Sequence, residues 1–268
     1  MSYTTVVLFF LTIILILITG NWGWMSSHVF ANTTWGLYPK SFFENVLVEA
    51  HGTVLDLVFI GSLLFYFDQR RSRQNERKRL EEMLSDLQMY RAPDASYRVL
   101  GTIRRLLSLG IRNLHLSEMQ LNNLRVVDII LEHSNCHAIV FTDSLLVDVR
   151  LERCECDAAI FAGAKLNHVE FNHCSFKRAK FHGAKLDGID LRSCEIQGAD
   201  FTGASLRSAN FRGVDCKGLK LKDADLRSAN FIDAKNLDPA AISSARIIKH
   251  LKTNDPAVMD IVKQSSSN

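Results

Sequence analysis

The sequence predicts a mainly β solenoid that follows two transmembrane helices and a helical linker and carries a helical cap at each end. Three observations predict it. An apolar residue or Cys recurs at every fifth position from Leu116 to Phe231. Two long apolar stretches lie within the first 67 residues, and a basic polar stretch follows them. A hydrophobic share of 47% and a charged share of 23% exclude a disordered chain, and 268 residues suffice for a buried core.

The first apolar stretch predicts a transmembrane helix. Residues 6–18 read VVLFFLTIILILI, and uncharged flanks extend the stretch to residues 3–24. About 20 such residues cross about 30 Å of hydrocarbon. The five residues before Val6 lack the positive charge of a signal peptide, and Trp22, Trp24 and Trp35 are typical of interfacial anchors. We therefore expect a retained span rather than a cleaved signal.

A second apolar stretch, residues 46–67, also predicts a transmembrane helix. Six basic residues follow it closely: Arg70, Arg71, Arg73, Arg77, Lys78 and Arg79. The positive-inside rule places such a flank in the cytoplasm. The two spans then form a hairpin, with residues 21–44 outside and with both termini and the solenoid in the cytoplasm. The basic residues are candidates for contact with lipid headgroups or for setting this topology.

Three polar residues interrupt the second span, and they are the candidate intramembrane functional residues: Glu49, His51 and Asp56. Glu49 and Asp56 are seven residues apart, so a helix places them on one face. An ionised carboxylate deep in the span costs about 2.5–3.5 kcal/mol on insertion scales. One interpretation is a pore, a proton-coupled element or an inter-subunit contact. The other is a protonated Asp56 packed against the first span, with Glu49 and His51 at the membrane interface.

Residues 68–110 predict a cytosolic basic helical stalk followed by an N-terminal cap helix. Apolar residues at helical spacing up to Leu87 continue the second span into the stalk. Pro93 and Asp94 restart a helix, with Asp94 as its N-cap and Gly110 at its end.

The five-residue period defines the predicted fold of residues 111–237. It fits neither the 3.6-residue period of a helix nor the two-residue period of a strand. Two positions before each recurring residue lies a second apolar or small residue, as at Ala199, Ala204 and Ala209. A fixed short period indicates a solenoid, whose core is buried only when successive turns stack on each other.

The later repeats resemble the pentapeptide-repeat family. Its A-(D/N)-L/F pattern occurs as ADF at 199–201, ANF at 209–211, ADL at 224–226 and ANF at 229–231. The similarity extends over residues 114–233, although Ile129, Ile139 and Val149 stand where the family has Ala. The resemblance implies a right-handed quadrilateral β-helix with four repeats per coil, and hence about six coils.

Residues twenty apart should then stack in one column, and residue types sort in that way. One column is Phe141, Phe161, Phe181 and Phe201. All six cysteines fall on one face of the coil: Cys136, Cys154, Cys156, Cys174, Cys194 and Cys216. This sorting follows if like side chains pack on each other between coils. We interpret the cysteines as small buried residues rather than as metal ligands or disulfides.

The sequence contains no arrangement that indicates catalysis, a cofactor or a metal site. It has no Ser-His-Asp order, no Gly-rich phosphate loop and no HExxH motif. His168 and His173 alone approach each other among the outward histidines, and two ligands are too few. We therefore expect a protein that is not an enzyme.

Residues 238–268 predict C-terminal cap helices, because an open end of a β-helix exposes unpaired strand edges. One helix begins at Asp238 and runs to about His250. Another begins at Pro256, and a disordered tail follows from Gln264.

The surface of the repeats is of mixed charge. Residues 114–233 contain 17 acidic and 15 basic side chains. Some members of the family mimic DNA through a strongly acidic surface, which a mixed surface disfavours, and no nucleic-acid partner is expected. Four arginines recur at outward positions and are the candidate partner-binding edge: Arg192, Arg207, Arg212 and Arg227.

The sequence is compatible with two classes of function. In the first, the chain is a membrane-anchored scaffold or protein-interaction module, whose partners are membrane lipids and a cytosolic protein. In the second, the chain forms an oligomeric channel or a membrane-disrupting effector, whose intramembrane acidic residues line or gate a pore and whose β-helix senses or assembles. The first is favoured because the repeats are dense and contain no chemical site.

Overall fold

A computed structural model of the protein describes residues 3–28, 40–90, 92 and 94–266. The chain forms two compact units, Met1–Glu76 and Arg77–Asn268. Residues 29–39, which include the predicted anchor Trp35, lie outside the described residues.

The first unit consists of helices in its described part. Helix α1 covers Tyr3–Gly20, α2 covers Trp22–His28, and α3 begins at Lys40 and ends at Gln88 in the second unit. Among the residues described, one helix is long and apolar enough to cross a membrane by length and composition, over Val48–Gln88. Large apolar side chains of α3 are exposed within the chain, Phe59 to 71% and Leu64 to 63%.

The second unit begins with the end of α3 and with helix α4, Ala95–Ser108. Leu80 and Leu84 of α3 are buried in the same apolar core as Val99, Ile103 and Leu106 of α4. The helical spacing predicted for the stalk thus corresponds to a packed face, because residues three and four apart share one side of a helix.

Asp94 precedes α4 as predicted, but its side chain makes no capping hydrogen bond. Its carboxylate instead accepts a hydrogen bond from Arg98 Nε at 2.6 Å and one from Tyr90 Oη at 3.2 Å. Gly110 follows the helix with φ of +80°, a left-handed conformation that favours glycine.

The repeats form parallel strands in a β-solenoid. One three-stranded sheet contains β1 (Arg125–Val127), β3 (Leu145–Val147) and β5 (Lys165–Asn167). The other contains β2 (Ile130–Glu132), β4 (Arg150–Glu152) and β6 (Glu170–Asn172). Every pair is parallel with a register of twenty residues, as for Val126 and Leu146. Single parallel bridges continue this register along the later repeats, for example between Asn210 and Asn230.

The core lies inside the solenoid, on the residues that the five-residue period selects. Each recurring residue from Leu116 to Phe231 is buried, with at most 7% of its surface exposed. Phe161, Phe181 and Phe201 stack with nearly parallel rings, and their centroids are 4.9 and 4.8 Å apart. The predicted columns are therefore confirmed, because like side chains do pack on each other in successive turns.

The structure beyond Phe231 differs from the expected one. Helix α5 covers only Pro239–Ser243 and does not reach His250. The chain then resumes the parallel ladder, because Ile247 bridges to Asp225 and Lys252 bridges to Asn230. Ile248 and Leu251 are buried inside the solenoid, one turn after Leu226 and Ala229.

The last helix, α6, covers Pro256–Ser266, so it includes residues 264–266 that were expected in a disordered tail. Val258 of this helix is fully buried. Residues 267–268 lie outside the described residues.

Candidate functional site

The four arginines of the candidate edge form two columns rather than one. The twenty-residue register places Arg192 beside Arg212 and Arg207 beside Arg227. Arg207 and Arg227 follow one inward column, and Arg192 and Arg212 follow the next one along the chain. The sequence predicted a single edge because all four arginines occupy the same place within a repeat.

The column of Arg207 and Arg227 is built around a buried carboxylate. Asp225 exposes 1% of its side chain, whereas Arg207 exposes 50% and Arg227 exposes 40%. Arg207 Nε donates a hydrogen bond to Asp225 Oδ2 at 2.8 Å. Arg227 donates from Nε to Oδ1 at 2.9 Å and from Nη2 to Oδ2 at 2.6 Å, a forked geometry that suits a carboxylate.

This pair of arginines keeps Asp225 ionised. Hydrogen bonds from Arg227 and then from Arg207 hold the pKa of the Asp225 carboxyl well below its usual range, although burial opposes them. Asp187 lies in the same column as the arginines, where its Oδ1 accepts from Ser205 Oγ at 2.5 Å and from the backbone N of Arg207 at 3.2 Å. The guanidinium groups are thus fixed in position and still reach solvent.

The other column is more exposed. Arg192 binds Asp190 through both Nε and Nη2, the latter at 2.7 Å, and each side chain of this pair exposes half of its surface or more. The Nε of Arg212 is 3.4 Å from a carboxylate oxygen of Asp233. Exposed pairs of this kind contribute about 0–1 kcal/mol to stability.

The polar residues of the predicted second span lie on α3. Glu49 and Asp56 are exposed within the chain and are two helical turns apart, which places them on one face. No hydrogen bond or ion pair joins either residue to another described side chain. His51 also lies in α3, and its side chain is outside the described part of the structure.

The six basic residues after this span are all exposed on α3. Their spacing distributes them around the helix rather than along one face. Arg77 forms an ion pair with Glu81 one turn later, at 2.8 Å.

The cysteines and histidines do not form a metal centre in the part of the chain that the structure describes, where no three metal-ligating side chains converge. All six cysteines are free and buried. Burial raises the pKa of Cys194 to about 11 and that of Cys216 to about 12, which keeps both thiols protonated at neutral pH. His168 lies 3.4 Å from Asp148, and His182 lies 3.3 Å from Asp200, so each of these two outward histidines pairs with a single carboxylate.

Sequence reasoning missed Asp225 and Lys249. Asp225 looked like an ordinary outward residue, but Arg207 and Arg227 cover it from two successive turns. The register could have revealed the first contact, because a residue eighteen positions later lies diagonally opposite in the next turn. Lys249 extends the same column, and no sequence signal indicates this because the five-residue phase stops before it.

Residues 156–231 match the family model named Pentapeptide repeat region. This match confirms the resemblance seen in the repeats: that part of the chain is a pentapeptide-repeat region, and its fold is a β-solenoid. No curated protein sequence matches this chain.

Several solved structures of pentapeptide repeat proteins are similar to this chain. Full-length QnrB1, a plasmid-mediated fluoroquinolone resistance protein, shares 12% identity over 58% of this chain and 86% of its own, with a TM-score of 0.30. HetL from the cyanobacterium Nostoc, which is involved in heterocyst differentiation regulation, shares 19% over 57% and 93%, with a TM-score of 0.25. Rfr23 from the cyanobacterium Cyanothece shares 15% over 58% and 96%, with a TM-score of 0.27.

Proposed function

We propose that the protein is a membrane-tethered protein-interaction module, whose solenoid presents side chains to a cytosolic partner and performs no reaction. One observation carries the proposal: α3 contains an apolar stretch exposed within the chain, and Leu80 and Leu84 of its later turns are buried in the core of the solenoid unit. An exposed apolar stretch of this length needs lipid or another apolar partner. Outward side chains that are held in columns on a packed core are suited to binding another protein.

The proposal includes two spans, about residues 3–24 and 46–67, with both termini and the solenoid in the cytoplasm. The uncharged α1 and the basic residues after the second span support it. The proposal also includes association of several copies through these spans into a homo-oligomer.

The proposal also includes a right-handed quadrilateral shape with about six coils. A twenty-residue register with a five-residue period gives four inward positions per turn, which supports four sides. The parallel bridges run from His115 to Lys252, which supports the number of coils.

Labelling of single cysteines tests the topology. All native cysteines are buried, so they give a low background. In spheroplasts, an impermeant maleimide should label Ser27→Cys from outside and should label Lys78→Cys only after permeabilisation. Both positions are exposed within the chain, so access differs by the side of the membrane alone. Labelling of Lys78→Cys in intact spheroplasts would contradict the proposed orientation.

The second candidate function is an oligomeric channel, and the exposed carboxylates of α3 are the observation that favours it. Glu49 and Asp56 share one face of an otherwise apolar helix, where ionised groups are costly unless they face water or a partner. A pore between copies of the helix would supply that water.

Ion flux into liposomes that contain the full-length protein decides between the two functions. For the tethered module we expect no flux from wild type or from Asp56→Asn, with insertion verified by resistance to carbonate extraction. Flux from wild type that falls at least about tenfold in Asp56→Asn, but not in the exposed neighbour variant Thr53→Ala, would establish the channel instead.

A further inference from the structure

The column of Arg207 and Arg227 continues beyond the sequence repeats. The backbone N of Ser208 donates to the carbonyl of Arg227 at 2.8 Å, and the N of Ser228 donates in the same way to the carbonyl of Lys249 at 3.0 Å. These two rungs place Lys249 next to Arg227, as Arg227 is next to Arg207. The short helix α5 is excluded from the ladder, which allows this alignment although the spacing changes from twenty residues to twenty-two. We name Arg207, Arg227 and Lys249 the basic column.

The basic column carries a surplus of positive charge. Asp225 lies between Arg207 and Arg227, and Asp187 lies one turn before Arg207, so two carboxylates compensate two of the three positive charges and Lys249 supplies the surplus. Lys249 is exposed, and no ion pair joins it to an acidic side chain in residues 94–266. The Nε of Arg207 donates to Asp225, and no hydrogen bond joins its two terminal nitrogens to another group in the described residues, while half of its side chain is exposed.

The surroundings of the basic column are neutral and small on one side. The next outward position of each turn holds Ser208, Ser228 and His250, all with φ near +60° at the corner of the ladder. Beyond that corner, Asn230 donates from Nδ2 to Asn210 Oδ1 at 3.4 Å, which aligns two amides beside the column. A carboxylate that approaches between Arg207 and Lys249 meets guanidinium and ammonium donors as well as hydroxyls and amides. The acidic residues that continue these two columns, Asp187 and Asp190, lie one turn before Arg207 and Asn210.

We infer that the basic column is a docking surface for an acidic segment of a protein partner. The inference rests on the proposed interaction role and names the chemistry of the partner. Asp225 holds both guanidinium groups in position, and the N–H groups that it leaves free suit carboxylates because their geometry is fixed before binding. Nucleic acid fits less well, since it requires a broad positive field and the repeats are close to neutral overall. A lipid surface also fits less well, because no large exposed apolar side chain lies in residues 205–208, 225–230 or 247–252 to enter it.

Fluorescence anisotropy with a labelled peptide tests the inference. The probe is an octapeptide of alternating Glu and Ser, and its reference replaces Glu with Gln. The full-length protein is held in nanodiscs of zwitterionic lipid, so that anionic headgroups do not compete. We expect saturable binding of the Glu peptide, weakened by salt, and no binding of the Gln peptide. We expect Lys249→Gln to weaken it about fivefold and Arg207→Gln/Lys249→Gln about twenty-fivefold, as for the loss of exposed charge pairs.

A charge-matched control separates the column from general charge. Arg125 and Lys165 are exposed in the same solenoid, at least two turns before Ser205, and no ion pair in the described structure involves either. The variant Arg125→Gln/Lys165→Gln should keep the affinity within about twofold, because it changes the distant field only. Equal losses in this variant and in Arg207→Gln/Lys249→Gln would overturn the inference. Unreactive native thiols in each variant verify the fold, and Lys249→Gln leaves the Asp225 pair intact.

Other outcomes point to other occupants and also overturn the inference. One is capture by phosphatidylserine vesicles that Lys249→Gln abolishes, without binding of the Glu peptide. Another is association between nanodisc particles that Lys249→Gln abolishes, which would identify a second copy of this chain. The peptide could fail to bind although Lys78→Cys stays inaccessible from outside. That result would overturn the acidic partner, whereas the proposal of a membrane-tethered module would remain.

Discussion

Replacing Phe181 with Ala should lower the free energy of unfolding of the solenoid by about 3–5 kcal/mol, the usual loss for a buried phenylalanine. The ring of Phe181 is completely buried and stacks between Phe161 and Phe201 at centroid distances of 4.9 and 4.8 Å. Phe176 also contacts it edge-on at 5.8 Å. Neighbouring turns are held by the same parallel ladder, so the cavity has little freedom to collapse.

Thiol reactivity in urea measures this loss. All six cysteines lie within the solenoid and are buried, whereas the three tryptophans lie in the first 35 residues and report another part of the chain. Phe181→Leu should lose less, about 1–2 kcal/mol, because most of the volume remains. The exposed neighbour variant Lys180→Ala should stay within about 0.5 kcal/mol of wild type. A loss below about 1 kcal/mol in Phe181→Ala would contradict the role of the phenylalanine column.

The buried side chains of the solenoid were predictable because the five-residue period is local and repeated many times. Leu166 and Cys156 are buried for the same reason as Phe181: each occupies the same place in a repeat, and a single irregular repeat such as that of Val149 does not change the phase. The family resemblance added the twenty-residue turn, and the sorting of phenylalanines gave an independent indication of it.

The end of the solenoid was not predictable, because it depends on which later residue fills a position in space. Ile248 and Leu251 are three residues apart and follow a short helix, so no period connects them with Leu226. The contacts of the candidate site were not predictable for the same reason. Asp225 is buried by Arg207 from the preceding turn, and Lys249 joins the column only because residues 239–243 leave the ladder.

Replacing Asp225 with Asn should lower the free energy of unfolding by about 1.5–3 kcal/mol at pH 7, the range for hydrogen bonds to charged groups. The amide of Asn supplies one acceptor oxygen, whereas three guanidinium nitrogens donate to the two oxygens of the Asp225 carboxylate. The loss stays below that of a fully buried ion pair, because Arg207 and Arg227 expose about half of their side chains and are hydrated when the carboxylate is gone.

The effect of Asp225→Asn should depend on pH in one direction. The two arginines lower the pKa of Asp225 in the folded protein, with Arg227 contributing more than Arg207. Its contribution is therefore fully present above the ordinary aspartate pKa of about 3.9 and is lost as the pH falls toward the lower folded-state pKa. The difference between wild type and Asp225→Asn should be constant from pH 7 to about pH 5 and should decrease below about pH 4.

Asp190→Asn is the matched control for this prediction. Asp190 also binds an arginine two residues later through a fork, but both members of that pair are half exposed. Its replacement should change the free energy of unfolding by at most about 1 kcal/mol. Dithiodipyridine, which reacts with thiols in acid, extends the same measurement to low pH. Equal losses in the two variants would mean that burial of Asp225 adds nothing, and the basic column would then lack the fixed geometry on which its selectivity for carboxylates depends.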